Sequence, residues 1–294
     1  MPPQNTHNSP TLADAAGHAA LQRAWQKVQR NGGGPGGDGI TPARFARQAH
    51  ARLSSLSQAL LAGTYRPGPA RLRRVKKPNG GHRTLAIPCV IDRIAQTAVL
   101  GLLAPALDRR MTDNSYAYRP GRSAGQAIAH AEALIADGHA WIVDADISQF
   151  FDSVPHARLV HDLAIWIDDP GLYALLVRWV QSGGRNGSGL PQGAPLSPLL
   201  ANLYLHPLDR VLAREGIAAV RYADDFVLLA RTRPEAERAQ ARAARALAAR
   251  GLALHAGKTR IVPARKGTLF LGKRLRAAGW WRRLLRRLIS RART

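Results

Sequence analysis

AWIVDADI (residues 140–147) and VRYADDFVLLA (residues 220–230) decide the fold of this chain. In the first, an apolar, β-branched run gives way to acids, which reads as a buried strand ending in carboxylates. In the second, apolar arms surround Asp224 and Asp225, which reads as a hairpin turning at the acidic pair. Aspartate is a poor strand former and resists burial. Placing Asp144 and Asp146 at one strand end, and Asp224 and Asp225 at another, therefore costs stability unless a cation neutralises them. A solvated turn explains either pair alone. Both together, in a chain with 19 acids against 43 bases, favour a metal site. Oxygen ligands with open positions suit Mg²⁺, and two such ions about 4 Å apart clamp the attacking and leaving oxygens of a phosphoryl displacement.

Outward from these stretches, Pro198–Leu212 and Pro234–Arg250 read as helices, and 252–262 and 268–275 offer short strands. The order strand (140–147), helix, hairpin (220–230), helix, strand (252–262) predicts an α+β fold with a split βαβ arrangement. Upstream, residues 1–17 are polar and expected to fray. A helix over Leu21–Arg30 stops before the loop GGGPGGDG (32–39), and Thr41-Pro42 opens another as cap and first-turn proline. KPNGG (77–81) is a turn signal for a hairpin over 71–87. Ile91–Leu107 and Ala124–Asp137 are helical, as are Pro155–Trp166 and Leu172–Val180, with a loop over 181–193. Trp280–Ile289 has an apolar face opposite Arg282, Arg283, Arg286 and Arg287.

The net charge of +24 favours a polyanionic partner, because each cation on a phosphate backbone releases a counterion. Apolar content of 46% is too high for a disordered basic tail. One cysteine, Cys89, excludes an internal disulfide and a cysteine-rich zinc centre. No leader is recognisable, and the apolar stretch Ala98–Leu107 is too short to span a bilayer. These features give the expectation of a cytoplasmic protein that faces nucleic acid and not membrane.

DADISQFFDSVP (144–155), GLPQGAPLSPLLANLYL (189–205) and YADD (222–225) resemble successive palm motifs of reverse transcriptases. KKPNGGHRTLAIP (76–88), DRIAQ (92–96) and SYAYRPGRSA (115–124) resemble the fingers of the group II intron-like branch, and GKTRIV (257–262) and LFLGKRL (269–275) the last palm motifs. The resemblance covers roughly 65–275. It implies an RNA-directed DNA polymerase with right-hand fingers and a split βαβ palm. The segments it implies are an N-terminal helical region over 1–64, fingers and palm over 65–275, and a basic amphipathic helix over 276–294 serving as a short thumb stub. A short form without maturase or nuclease domains is expected, in a defence or CRISPR-associated setting. Retron-type and diversity-generating enzymes are the nearest alternatives within the family.

The resemblance makes Asp146, the Ile147 carbonyl, Asp224 and Asp225 ligands of two Mg²⁺ ions, with Mn²⁺ able to substitute. Asp144 and Asp152 are read as outer or structural acids. Phe151 stands where these enzymes place a steric gate against the ribose 2′-OH; a core aromatic is the bland alternative. Lys77 and Arg83, or Lys76 in place of Lys77, would clamp a triphosphate, and Arg93 either joins them or pairs with Asp92. Gln192 and Gly193 would approach the template or incoming base. Lys258 either donates a proton to pyrophosphate or is a surface lysine near phosphate. Phe270, Leu271 and Gly272 resemble a primer grip. In RPGRS (119–123), phosphate contact by Arg119 and Arg122 competes with simple capping by Ser123. Arg282 and Arg286 would grip duplex. The partners implied are an RNA template, a DNA or RNA primer, dNTPs and a separate protein supplying thumb or adaptation function. The reading from another class is a non-catalytic RNA-binding or splicing-assistance protein on the same scaffold.

Overall fold

The computed structural model describes residues 9–76 and 80–277. Lys77, Arg282, Arg286 and most of the expected C-terminal helix lie outside them. In chain order the elements begin with α1 (Leu12–Ala16), α2 (His18–Asn31), α3 (Pro42–Ala46), α4 (Ala49–Leu61), β1 (Arg71–Lys76), β2 (His82–Ile87) and α5 (Val90–Asp108). Next come α6 (Ala124–Ala136), β3 (Trp141–Asp146), α7 (Phe150–Ser153), α8 (His156–Trp166), α9 (Pro170–Ser182) and α10 (Ser197–Arg214). The last are β4 (Ala218–Tyr222), β5 (Asp225–Ala230), α11 (Arg233–Ala248), β6 (Arg260–Pro263), β7 (Thr268–Phe270) and β8 (Lys273–Leu275). Two compact units result, each built from two stretches of chain: residues 1–110 with 151–204, and residues 111–150 with 205–294. The linear segments expected from the sequence cut across this division.

In the first unit α5 is the central helix. It buries Val90, Ile94, Ala95, Val99, Leu103 and Leu107 and packs on α1, α2 and α4. At 19 residues it is, among those described, the helix long and apolar enough to cross a membrane by length and composition. It extends the apolar run judged too short, and about half of it is buried against its neighbours. The N-terminus departs from the expected frayed segment. Thr11 and Asp14 form a reciprocal capping box that starts α1, and Ala15 and Ala16 are buried. Thr41 caps α3 as expected, its hydroxyl accepting the Arg44 N–H at 3.2 Å. Strands β1 and β2 pair antiparallel from Arg71↔Ile87 to Lys76↔His82.

The second unit holds a four-stranded antiparallel sheet in the order β4-β5-β3-β6. β3 and β4 run parallel with β5 inserted between them, and β5 and β6 run parallel with β3 between them. This is the split βαβ arrangement used twice, and the fold is α+β. One sheet face meets α6. Ala127, Ala131 and Ile135 lie four apart on that helix, so they share a face, and they pack on Ile142, Val220, Val227 and Leu229. α11 packs against β5, β3 and β6 through Ala236, Ala239, Ala243 and Leu247, and it starts at a Thr232–Glu235 capping box.

Two expected strands are shorter than read. The segment 252–259 is bridge and turn, because Leu254 meets Ile147 in a single antiparallel bridge before the chain turns at Gly257. The segment 268–275 is a hairpin, broken by Leu271 and Gly272 with φ of 51° and 79°. Two positive φ values in succession are what a tight two-residue turn requires.

Candidate active site

In the second unit, pairing register brings the acids together. Asp146 at the end of β3 stands opposite Asp225 at the start of β5. Asp225 also pairs with Tyr222, leaving Ala223 and Asp224 as a two-residue turn. Two of these carboxyls have raised pKa values. Burial raises the Asp224 pKa above the usual carboxylate range, with the charge of Asp146 adding to it while Arg221 and Lys258 oppose. The Asp225 pKa is pushed up to about 6, by burial of its carboxyl first and then by the charges of Asp224, Asp146 and Asp144. Lys258 supplies counter-charge, its Nζ 2.9 Å from Asp146 Oδ2.

Flanking bonds from the Ser148 N–H to the Ala253 carbonyl and from the His255 N–H to the Asp146 carbonyl leave the Ile147 carbonyl out of that ladder. The carboxylates of Asp146, Asp224 and Asp225, beside a carbonyl outside the ladder, are an oxygen-only donor set that fits a hard divalent cation. Among the described residues, no three His, Cys, Asp or Glu side chains are already closed around one point.

Asp144 differs. Its Oδ2 accepts from Arg260 Nε at 3.1 Å, Arg260 Nη2 at 3.0 Å and Thr268 Oγ1. Those bonds tie β3 to β6 and β7, a structural task.

The first unit holds a cavity of about 710 Å³, lined by Phe151 and Gln192 together with Leu72, Thr84, Ala86 and Asp92. The loop around Gln192 is fixed to the hairpin: the Ala86 N–H donates to the Gln192 carbonyl at 2.7 Å. Gly193 has φ +107°, and a Cβ there would stand 3.2 Å from the Ala86 carbonyl oxygen. Close approach to β2 thus requires this glycine. Gly193→Ala is expected to cost about 1–3 kcal/mol through strain and overpacking. Thermal denaturation checks this, and an unchanged melting temperature would contradict it.

Alternation along the hairpin sorts its cations. Leu72, Thr84 and Ala86 line the cavity, and the register puts Arg74 opposite Thr84 and Lys76 opposite His82. Lys76 and Arg74 therefore share the cavity face, whereas Arg83 projects from the opposite one. Arg74 shares that face, and nothing in RLRRVK sets it apart from Arg71, Arg73 and Lys76.

Several expected site residues serve the fold instead. Arg119 is buried and donates to the Thr112 and Ser115 carbonyls. Arg122 pairs with Asp113 and lies over the Tyr116 ring. Ser123 caps α6 through the Gln126 N–H, so the capping alternative describes this run. Arg93 reaches the Gly32 and Gly34 carbonyls and closes the glycine-rich loop. Its neighbour Asp92 turns inward to accept from the Tyr65 hydroxyl and the Gly68 N–H, and burial raises its pKa. No local signal marks that contact, because Tyr65 and Gly68 are far upstream. Phe270 is buried in the core against α6, which leaves Leu271 and Gly272 at the hairpin tip.

A family description for reverse transcriptase (RNA-dependent DNA polymerase) matches residues 75–275. The chain is 31% identical over 287 residues to Protein YkfC of Escherichia coli strain K12, covering 82% of this chain and 75% of that protein. It is 34% identical over 167 residues to the group II intron-encoded protein LtrA of Lactococcus lactis subsp. cremoris, covering 54% of this chain but only 28% of LtrA. Apo telomerase from Candida tropicalis, truncated from its C-terminal domain, superposes with a TM-score of 0.56 at 13% identity, over 81% of this chain and 59% of that one. That likeness concerns the fold alone. With most of its length matched to the family, and with a relative above 30% identity spanned over three quarters of its length, the chain belongs to the reverse transcriptase (RNA-dependent DNA polymerase) family.

Proposed function

We propose that this chain extends a DNA or RNA primer on an RNA template by adding dNTPs, as an enzyme of the group II-like branch. The observation that carries the reading is the Asp146↔Asp225 register pair beside the Asp224 turn. Asp146, Asp224, Asp225 and the Ile147 carbonyl would hold two Mg²⁺ ions, with Mn²⁺ able to substitute. When bound, such ions activate a primer hydroxyl and neutralise charge on the transferring phosphoryl group.

The remaining work belongs to the chain's own side chains. Lys258, whose Nζ lies 2.9 Å from Asp146 Oδ2, would give a proton to the leaving pyrophosphate. Lys76 and Arg74, on one face of the hairpin, would supply positive charge for a triphosphate. Phe151 would exclude a 2′-OH from the cavity that it and Gln192 line. We place the protein in the cytoplasm, in a defence or CRISPR-associated setting, working with a partner that grips duplex. The group II-like fingers motifs and the QGAPLSP loop support that branch.

Primer extension with Mg²⁺ tests the reading, with wild type and Phe151→Ala run on dNTPs and on rNTPs. Wild type should extend with dNTPs, and Phe151→Ala should gain rNTP use by roughly 10–100-fold. Salt-dependent RNA binding without extension would overturn the polymerase and favour a non-catalytic RNA-binding protein.

A further inference from the structure

We infer that Arg221 is the positioning residue of the Ala223–Asp224 turn, holding that turn's backbone from beneath through a buried ion pair with Asp209. The inference rests on the polymerase reading for its kinetic consequence, but not for its geometry. Arg221 sits on β4 next to the turn and is 1% exposed, as is Asp209 on α10. A fully buried arginine costs a large desolvation penalty and needs several good partners.

Here the guanidinium serves Asp209, Ser115 and Ala223. Nε and Nη2 grip the two Asp209 carboxylate oxygens, Nη2 also donates to Ser115 Oγ at 2.7 Å, and Nη1 donates to the Ala223 carbonyl at 2.8 Å. The backbone around it is equally fixed: the Arg221 N–H donates to the Asn114 carbonyl, and the Tyr116 N–H to the Arg221 carbonyl.

The bonds to Asp209 and Ser115 could serve stability alone. The bond to the Ala223 carbonyl is different, because it reaches the turn that carries Asp224. Ala223 has φ +59°, the left-handed region that a residue with a Cβ rarely adopts. A conformation of that kind persists where its surroundings over-determine it. The bond from Nη1 to the Ala223 carbonyl does so, and the peptide it holds leads directly into Asp224. The guanidinium charge also favours the ionised form of Asp224.

A planar fork with five donors can serve Asp209 and Ala223 at once. A lysine ammonium is a compact point charge on a flexible stem and cannot span both. Arg221→Lys therefore keeps the buried charge beside Asp209 while releasing the turn.

The test compares wild type and Arg221→Lys, both well below their melting temperatures and counted by active-site titration. Nucleotide addition, dNTP KM, primer–template Kd and Mn²⁺ affinity by electron paramagnetic resonance are measured together. Displacement of a reacting group by about 1 Å costs on the order of 100-fold in rate. The expected result is a fall in kcat of about that size, a several-fold loss of Mn²⁺ affinity, and KM and Kd within twofold. Wild-type kcat per active molecule together with wild-type Mn²⁺ affinity would overturn the inference and leave Arg221 a purely structural residue. If wild type extends no primer, the polymerase reading falls, and Mn²⁺ affinity alone decides the role of Arg221. Should Arg221→Lys not fold, the double variant Arg221→Gln with Asp209→Asn leaves no buried charge and carries the same readings.

Discussion

Asp225→Asn is expected to lower nucleotide addition by about 10³-fold and, in the same molecule, to raise the melting temperature of the metal-free protein at pH 7. The two effects have one cause. The Asp225 pKa is pushed from an ordinary 3.8 up to about 6 by burial and by Asp224, Asp146 and Asp144. Between those values the folded protein still binds a proton that the unfolded chain has released. Stability therefore falls as pH rises through that window, and above it the fold carries a carboxylate in an unfavourable field. Asparagine keeps the shape and removes the charge. The melting-temperature difference between variant and wild type should grow from pH 4 to pH 6 and then level off. Adding Mg²⁺ at pH 7 should stabilise wild type more than the variant, since a ligand stabilises the state that binds it and the variant lacks one of the carboxylates. A variant less stable than wild type at pH 7 would remove the argument that the carboxylates repel one another.

Asp209→Ala should have the largest effect on folding. It leaves the guanidinium of Arg221 buried with its main partner gone, although Ser115 and the Ala223 carbonyl still accept from it. Breaking one side of a buried pair costs about 3–5 kcal/mol, equivalent to a fall of roughly 10 °C in melting temperature for a domain of this size. Replacing both partners together, Arg221→Met with Asp209→Leu, should recover most of that loss, because no charge remains to be desolvated. A melting temperature for Asp209→Ala within 2 °C of wild type would show that the pair is solvated after all.

These two sites differ in how well the sequence announced them. The acids at 144–146 and 224–225 stand out because each interrupts an apolar run in a chain otherwise rich in arginine. Contrast of that kind survives in one dimension. The strands that carry them, and the helices between, follow from period and capping residues: Thr232 with Glu235, Ser123, and Thr41 before Pro42. Arg221 offers no contrast. One more base among 43 looks like surface, and its partner Asp209 lies on a helix whose burial is decided only by tertiary packing. Asp92 is similar, since Tyr65 and Gly68 reach it from a different element. Arg119 and Phe270 were read through motif position alone, and packing put both inside. In the hairpin, alternation was available from the start. The position of the cavity, which the sequence does not show, puts Lys76 on its side of the hairpin and Arg83 on the other.

The order of strands in the sheet has a consequence for biosynthesis. β3 is made first, yet both of its neighbours, β5 and β6, leave the ribosome only after α7–α10 and then α11. At ordinary elongation rates the stretch Trp141–Asp146 waits ~10 s without a pairing partner. Throughout that interval the growing polypeptide exposes an apolar strand with both edges open, the kind of segment that chaperones bind and that aggregates when they do not. Slowing translation between residues 146 and 260 should therefore lower the soluble yield of this protein more than the same pause placed after residue 275.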